Sequence, residues 1–229
     1  MAEMSTLGAL QQDPYHELRR GMVETQILRR GMTNERVLRV METVPRHEFV
    51  PNEFRGRAYE DEPLPIGGGQ TISQPYIVAA MTNLLALKGD EKVLEIGTGC
   101  GYQTAILSEL SREVFSIEFR PDLAEATRER LQRLGYSNIR LLVGDGTLGW
   151  PEFAPYDAML VTAAAPSLPE PLLQQLADGG RMVIPVGDSS QQRLELVTRI
   201  SAEYRIEHHE GCRFVPLFGR YGWKEPAQG

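Results

Sequence analysis

Past residue 76, the hydrophobic positions fall into two alternating patterns. Short, largely apolar runs at 92–96, 113–118, 139–143, 158–161, 181–186 and 194–200 have the length and composition of buried strands. Between them, apolar residues return every three or four positions, which predicts helices at 77–87, 102–110, from Pro121 to near Gly135, and at 170–177. Pro121 suits a first helical turn and Gly135 a helix end, since proline loses nothing at the start and glycine accepts the left-handed cap. Strands alternating with helices predict an α/β, doubly wound, mostly parallel sheet. Only Gly-Asp-Ser-Ser-Gln-Gln-Arg separates Val186 from Leu194, leaving no room for a crossover helix, so these two strands are expected to form an antiparallel hairpin at one edge.

Ahead of this regular part the pattern is looser. Residues 17–50 read as helix in two pieces; in the second, Thr33 precedes Val37, Leu38, Val40, Met41 and Val44, and the periodicity stops at Pro45. From 51 to 75 it is broken by Pro51, Pro63, Pro65, the glycines at 67–69 and Pro75, a loop-rich stretch of the kind in which binding groups concentrate. The first 20 residues read as a tail and 21–229 as a single domain, long enough to build a core without disulfides or a metal.

Composition changes this picture little. Hydrophobic residues make up 41% and charged residues 24% of the 229, ordinary values that fit neither disorder nor a membrane protein. No apolar run reaches the roughly 18–20 residues of a helical span. The first residues lack a basic segment followed by an apolar one, so no secretory signal is read and a cytoplasmic location is the expectation. Cys100 and Cys212 form neither a disulfide framework nor a metal pair and read as ordinary thiols. A net charge of −7 argues against a nucleic-acid partner. Arg128, Arg130 and Arg133 share their helix with Glu125 and Glu129, which reads as a solvated face.

Chemistry enters at Val93–Tyr102, Val-Leu-Glu-Ile-Gly-Thr-Gly-Cys-Gly-Tyr, where Gly97, Gly99 and Gly101 follow a buried strand and precede a helix. In doubly wound sheets ligands bind at such strand ends. Counting from Gly97, the third glycine of a dinucleotide fingerprint would fall on Tyr102, so a pyrophosphate clamp is disfavoured and a nucleoside without phosphate fits better. Three acids at three strand ends complete the pattern. Glu95 can reach a ligand ammonium, directly or through water; Glu118 can accept both hydroxyls of a ribose; Asp145 can accept from an adenine amine beside the Gly146 backbone. Thr98 joins the glycines as a cofactor contact. Taken singly, Glu118 and Asp145 would as readily be cap or turn residues.

With these segments in hand, the chain closely resembles the protein-L-isoaspartate O-methyltransferase family, from about Met22 to Trp223. The resemblance rests on residues 44–51 (VPRHEFVP), 67–81 (GGGQTISQPYIVAAM), 93–105 (VLEIGTGCGYQTA), 143–150 (VGDGTLGW), 156–166 (YDAMLVTAAAP) and 213–223 (RFVPLFGRYGW). It implies a Rossmann-like class I methyltransferase sheet and S-adenosylmethionine as cofactor, with S-adenosylhomocysteine as product. The implied acceptor is the free α-carboxylate of L-isoaspartyl residues in damaged proteins. It also implies that Ser73 is the active-site residue, that Gln70, Thr71 and Ile72 wrap around cofactor and substrate, and that Val215, Pro216 and Leu217 line the site for the substrate backbone. A monomer is expected.

The implied chemistry asks little of the side chains. A carboxylate with a pKa of about 4 is already ionised at neutral pH, so no general base and no metal are needed. The task is to hold acceptor, methyl and sulfur in line, worth ~7–11 kcal/mol. Ser73 then reads as a hydrogen-bond donor that orients the carboxylate, with N-capping of the next helix as its bland alternative. His47 reads as an exposed or locally bonded residue, and His208 and His209, adjacent on a strand, point to opposite faces and cannot share a metal. Trp150 and Trp223 read as core or rim aromatics. Two alternatives remain: a methyltransferase of the same fold acting on another carboxylate, and a cofactor-binding module without activity.

Overall fold

The computed structural model describes residues 13–224. Helix α1 (His16–Met22) runs directly into a wide turn at Val23–Ile27 and a tight one at Leu28–Arg30, closed by Gly31. The expected boundary at residue 20 therefore falls inside a helix; residues 1–12 of the expected tail lie outside the described residues. Arg19 of α1 is buried, donating to Glu42 O at 2.5 Å and to Asp13 at 2.6 Å. Helix α2 spans Glu35–Thr43 and starts one residue later than expected: Asn34, not Thr33, is its N-cap, accepting from Arg36 and Val37 backbone N–H groups. Both residue types can cap, and the asparagine carbonyl is the one placed to reach the orphan donors.

A short hairpin follows, β1 (Leu64–Gly67) against β2 (Gln70–Ile72), turning through Gly68 and Gly69. Helix α3 (Pro75–Leu85), strand β3 (Lys92–Ile96), helix α4 (Tyr102–Leu110), strand β4 (Glu113–Glu118), helix α5 (Pro121–Arg133), strand β5 (Ile139–Val143) and strand β6 (Tyr156–Val161) repeat the predicted alternation. Helix α6 is shorter than read, Glu170–Gln174, because Leu176 already pairs with Tyr156 as the start of β7 (Leu176–Gly187). Strands β8 (Gln192–Ile200) and β9 (Glu203–Cys212) complete the chain's main sheet.

The order across that seven-stranded sheet is β5-β4-β3-β6-β7-β8-β9, parallel from β5 to β7 and antiparallel for the last two. The β7–β8 hairpin exists as expected, but it does not form the edge: β9, which carries His208 and His209, lies outside it. The mostly polar and exposed β9 suits that position, since polar edges resist pairing with other chains. Successive residues of each central strand face opposite layers. Val93, Val114, Ala158, Leu160 and Val183 pack with α2–α5 in one core; Leu94, Phe115, Ile117, Met159 and Met182 pack with α6 in the other. Phe115 anchors this second layer, with the rings of Trp150, Phe153 and Tyr156 around it. After β5 the chain returns to place β6 beside β3, so the connections diverge between β3 and β6. That divergence opens a crevice at the strand ends.

Candidate active site

Three strand ends are tied together at the mouth of this crevice. Gly97 N–H donates to Ile117 O at 2.8 Å, Thr162 N–H donates to Ile96 O at 2.9 Å, and Thr162 Oγ1 donates to Gly97 O at 2.6 Å. Gly97 has φ +94°, and a Cβ there would sit inside the contact distance of Thr162 Oγ1, so only glycine allows this closure. Gly101 caps α4 from behind the loop. Gly146 packs so tightly on Ile96 that it too has no room for a side chain.

The crevice is open to solvent, with about 1020 Å³ of space between its walls and in its mouth. Its walls come from five parts of the chain. Gly97, Thr98, Gly99 and Gly146 form one side, and Glu118 with Phe119 and Arg120 another; Gln70, Thr71, Ile72 and Ser73 come from the hairpin and the turn after it, and Val215 and Pro216 from the segment after β9. Val215 O accepts from Ala164 N–H and Leu217 N–H donates to Ala164 O, both at 2.8 Å, which clamps that last segment onto the end of β6.

Glu118 is 6% exposed and held from the protein side: its Oε2 accepts from Gly99 N–H at 2.8 Å and its Oε1 from Arg120 N–H at 3.0 Å. Each oxygen keeps acceptor capacity toward the crevice, which suits a vicinal pair of hydroxyls. The phenyl rings of Phe119 and Phe218 lie 6.4 Å apart, and both residues line the crevice. The residues present therefore fit a nucleoside without phosphate.

Two of the three acids do not stand where the sequence suggested. Glu95 is 0% exposed and does not line the crevice. Strand alternation turns it with Val93 toward α4, where its Oε2 accepts from Thr104 at 2.6 Å and Ser116 at 2.5 Å, and its Oε1 has no partner. Direct reach to a ligand ammonium is not what this placement offers. Burial raises its pKa to about 8, against the hydrogen bonds from Ser116 and Thr104 that favour the charged form. Asp145 is also outside the lining: its carboxylate accepts from Thr147 N–H and Oγ1 and from Arg220 N–H at 2.8 Å, serving the turn after β5 and the late segment that folds over it. Its neighbour Gly146 reaches the crevice in its place.

Ser73 is half-buried in the wall. It is not the helix cap, since Gln74 occupies that position without a capping bond. Its backbone carbonyl accepts from Arg46 Nη2 at 2.7 Å. His47 is buried, not exposed: its Nδ1 is 2.7 Å from the Tyr59 hydroxyl and its ring stacks on Tyr15 at 3.8 Å. Among the described residues no group of three or more His, Cys, Asp or Glu is placed to hold a metal, and Cys100 and Cys212 are free thiols. Phe119, Phe218 and Thr162 were not anticipated. A large aromatic straight after the Glu118 strand end was the available signal for the first; the other two depend on which strand ends meet.

A doubly wound sheet with a crevice at its switch point, lined by a glycine loop, Glu118 and the Thr-Ile-Ser segment, is the arrangement that the resemblance to S-adenosylmethionine-dependent methyltransferases implies. The sequence model of the protein-L-isoaspartate(D-aspartate) O-methyltransferase family matches residues 18–222, and the chain belongs to that family. It is 54% identical to protein-L-isoaspartate O-methyltransferase 1 of Syntrophobacter fumaroxidans, over 92% of this chain and 98% of that one. It is 55% identical to the protein-L-isoaspartate O-methyltransferase of Syntrophus aciditrophicus, with the same coverage. Among solved structures, a protein-L-isoaspartate O-methyltransferase superposes with a TM-score of 0.81 at 28% identity, covering 90% of this chain and 67% of the other. A Plasmodium falciparum beta-aspartate methyltransferase in complex with S-adenosyl-L-homocysteine superposes with a TM-score of 0.77 at 24% identity, over 87% and 98%, and shows the shared fold.

Proposed function

We propose that the crevice takes S-adenosylmethionine with its nucleoside end against Glu118 and Gly146 and its methionine end along Gly97–Gly99, and presents the acceptor carboxylate at Ser73. The reaction methylates the free α-carboxylate of L-isoaspartyl residues in damaged proteins and peptides, the step that begins their return to ordinary aspartyl. The bound cofactor supplies a methyl group on a sulfonium, an electrophile that an ionised carboxylate attacks without a base. The chain's own residues orient and exclude. The Ser73 hydroxyl donates one hydrogen bond to the carboxylate, enough to aim an anion without the tight bidentate grip of an arginine. Thr71 and Ile72 on one side, and Val215 and Pro216 on the other, hold the peptide backbone against the glycine loop.

One observation carries the reading: the 70–73 segment, the 97–99 loop and the 215–216 segment face a single crevice, though they lie far apart in the chain. A monomer that acts in the cytoplasm completes the proposal, and the net charge of −7 argues against a nucleic-acid partner. The test is transfer of a labelled methyl group to a synthetic isoaspartyl peptide, with its aspartyl isomer as control. Label released by mild base identifies an ester. Equal labelling of both isomers, or label stable to base, would overturn the assignment.

A further inference from the structure

Arg46 stands out among the buried groups that the reaction as described does not use. It is 0% exposed, and its guanidinium is held by two backbone carbonyls, Nε donating to Ala58 O and Nη2 to Ser73 O, each at 2.7 Å. It lies over the Tyr102 ring at 4.9 Å, and Tyr102 is among the residues at the crevice. Its Nη1 is shut away from solvent without a partner, and among the described residues no carboxylate lies within ion-pair distance of it. A buried guanidinium stays charged, and burying one without a counter-ion destabilises a fold, so packing alone is a poor reason for it. Arg19, Arg30, Arg55 and Arg133, by contrast, each face a carboxylate.

We infer that Arg46 is a positioning residue for the methyl acceptor: from one peptide group behind Ser73 it fixes the turn that presents the serine and supplies the positive charge that favours an anionic acceptor. This rests on the reading of Ser73 as the acceptor contact. The setback matters chemically. Acceptor carboxylate and methyl sulfonium carry opposite charges that cancel as the methyl moves. A cation in direct contact with the acceptor would stabilise the reactants more than the transition state and would repel the donor. Placed behind the Ser73 carbonyl, the charge helps select and bind the carboxylate while leaving its attacking oxygen unencumbered. Loss of the charge alone, with the hydrogen bond to the Ser73 carbonyl kept, is therefore expected in KM more than in kcat.

The test uses the full chain with S-adenosylmethionine and two peptides, an isoaspartyl peptide and the same peptide with its α-carboxylate replaced by a carboxamide, the latter assayed as a competitive inhibitor. Arg46→Gln, neutral but able to donate to a carbonyl, should raise KM for the carboxylate peptide about tenfold, with kcat and cofactor affinity changed less than about threefold. Inhibition by the carboxamide should hold steady, so the preference for the charged peptide shrinks by the same about tenfold. Arg46→Lys should keep that preference within about threefold of the wild type, since the charge is retained. An unchanged preference in Arg46→Gln overturns the inference, as does its loss in Arg46→Lys; if Arg46→Gln does not fold, Arg46→Lys decides alone. Ser73→Ala measured alongside separates the two readings. If it leaves kcat and KM untouched, the role of Ser73 falls, whereas the charge preference tests Arg46 independently.

Discussion

Replacing Glu95 by Gln should make the protein's stability less dependent on pH, by an amount the buried geometry sets. The carboxyl is 0% exposed and accepts two hydroxyl hydrogen bonds on Oε2 while Oε1 has none. Burial holds its proton to about 8, whereas the unfolded chain releases it near the ordinary 4.5. Above 4.5 the unfolded state gains by ionising and the folded state does not. The stability fully present below 4.5 is therefore lost steadily until the pH passes about 8. The slope is about 1.4 kcal/mol per pH unit, and the loss over the whole window is at most roughly 5 kcal/mol. Glutamine keeps an acceptor for Thr104 and Ser116 and cannot ionise. Urea unfolding of both proteins at about pH 5.5, 6.5 and 7.5 isolates the effect, because the other titrating groups cancel in the difference. Wild-type stability should fall relative to the variant by about 1.4 kcal/mol at each step. Parallel curves would refute the claim that this carboxyl stays protonated in the folded protein.

Three further outcomes follow from the geometry. Gly97→Ala should destabilise the fold by about 1–3 kcal/mol and weaken cofactor binding, read by thermal unfolding and calorimetric titration, because φ +94° and the nearby Thr162 hydroxyl both oppose a Cβ. Glu118→Ala should weaken cofactor affinity by about 10-fold or more, with two acceptor atoms lost, whereas Ser73→Ala should lower turnover with cofactor affinity nearly unchanged; equal affinity losses would discard that division of labour. Asn34→Ala should cost about 1 kcal/mol in urea unfolding while leaving cofactor binding alone, as the loss of a helix cap distant from the crevice.

Much of the sheet was legible in the sequence because its signals are local. Lys92–Ile96, Glu113–Glu118 and Ile139–Val143 are strands on their own apolar composition, and Pro121 marks the start of its helix without reference to anything distant. What escaped depends on contacts between remote segments. Whether Glu95 faces the ligand or α4 is decided by strand alternation together with where the helix docks, and Asp145 is drawn away by the backbone of Arg220, 75 residues later. The polar alternation of β9 gives no hint that it, and not the hairpin before it, forms the edge. The site itself was legible as segments, the glycine loop, the Thr-Ile-Ser turn and the Val-Pro-Leu stretch; the arginine bonded to the back of Ser73 was not, since nothing near Arg46 in the chain announces its partner.

The far wall of the crevice is supplied by residues 214–218, after every strand of the sheet has been laid down. On the ribosome, a nascent chain that has already emerged through β9 carries the glycine loop, Glu118 and Ser73, yet has no surface against which to close them. The crevice is thus walled on all sides only once residues 214–218 have been added. A fragment halted before Phe214 would retain the glycine loop, Glu118 and Ser73 without the wall that residues 214–218 supply.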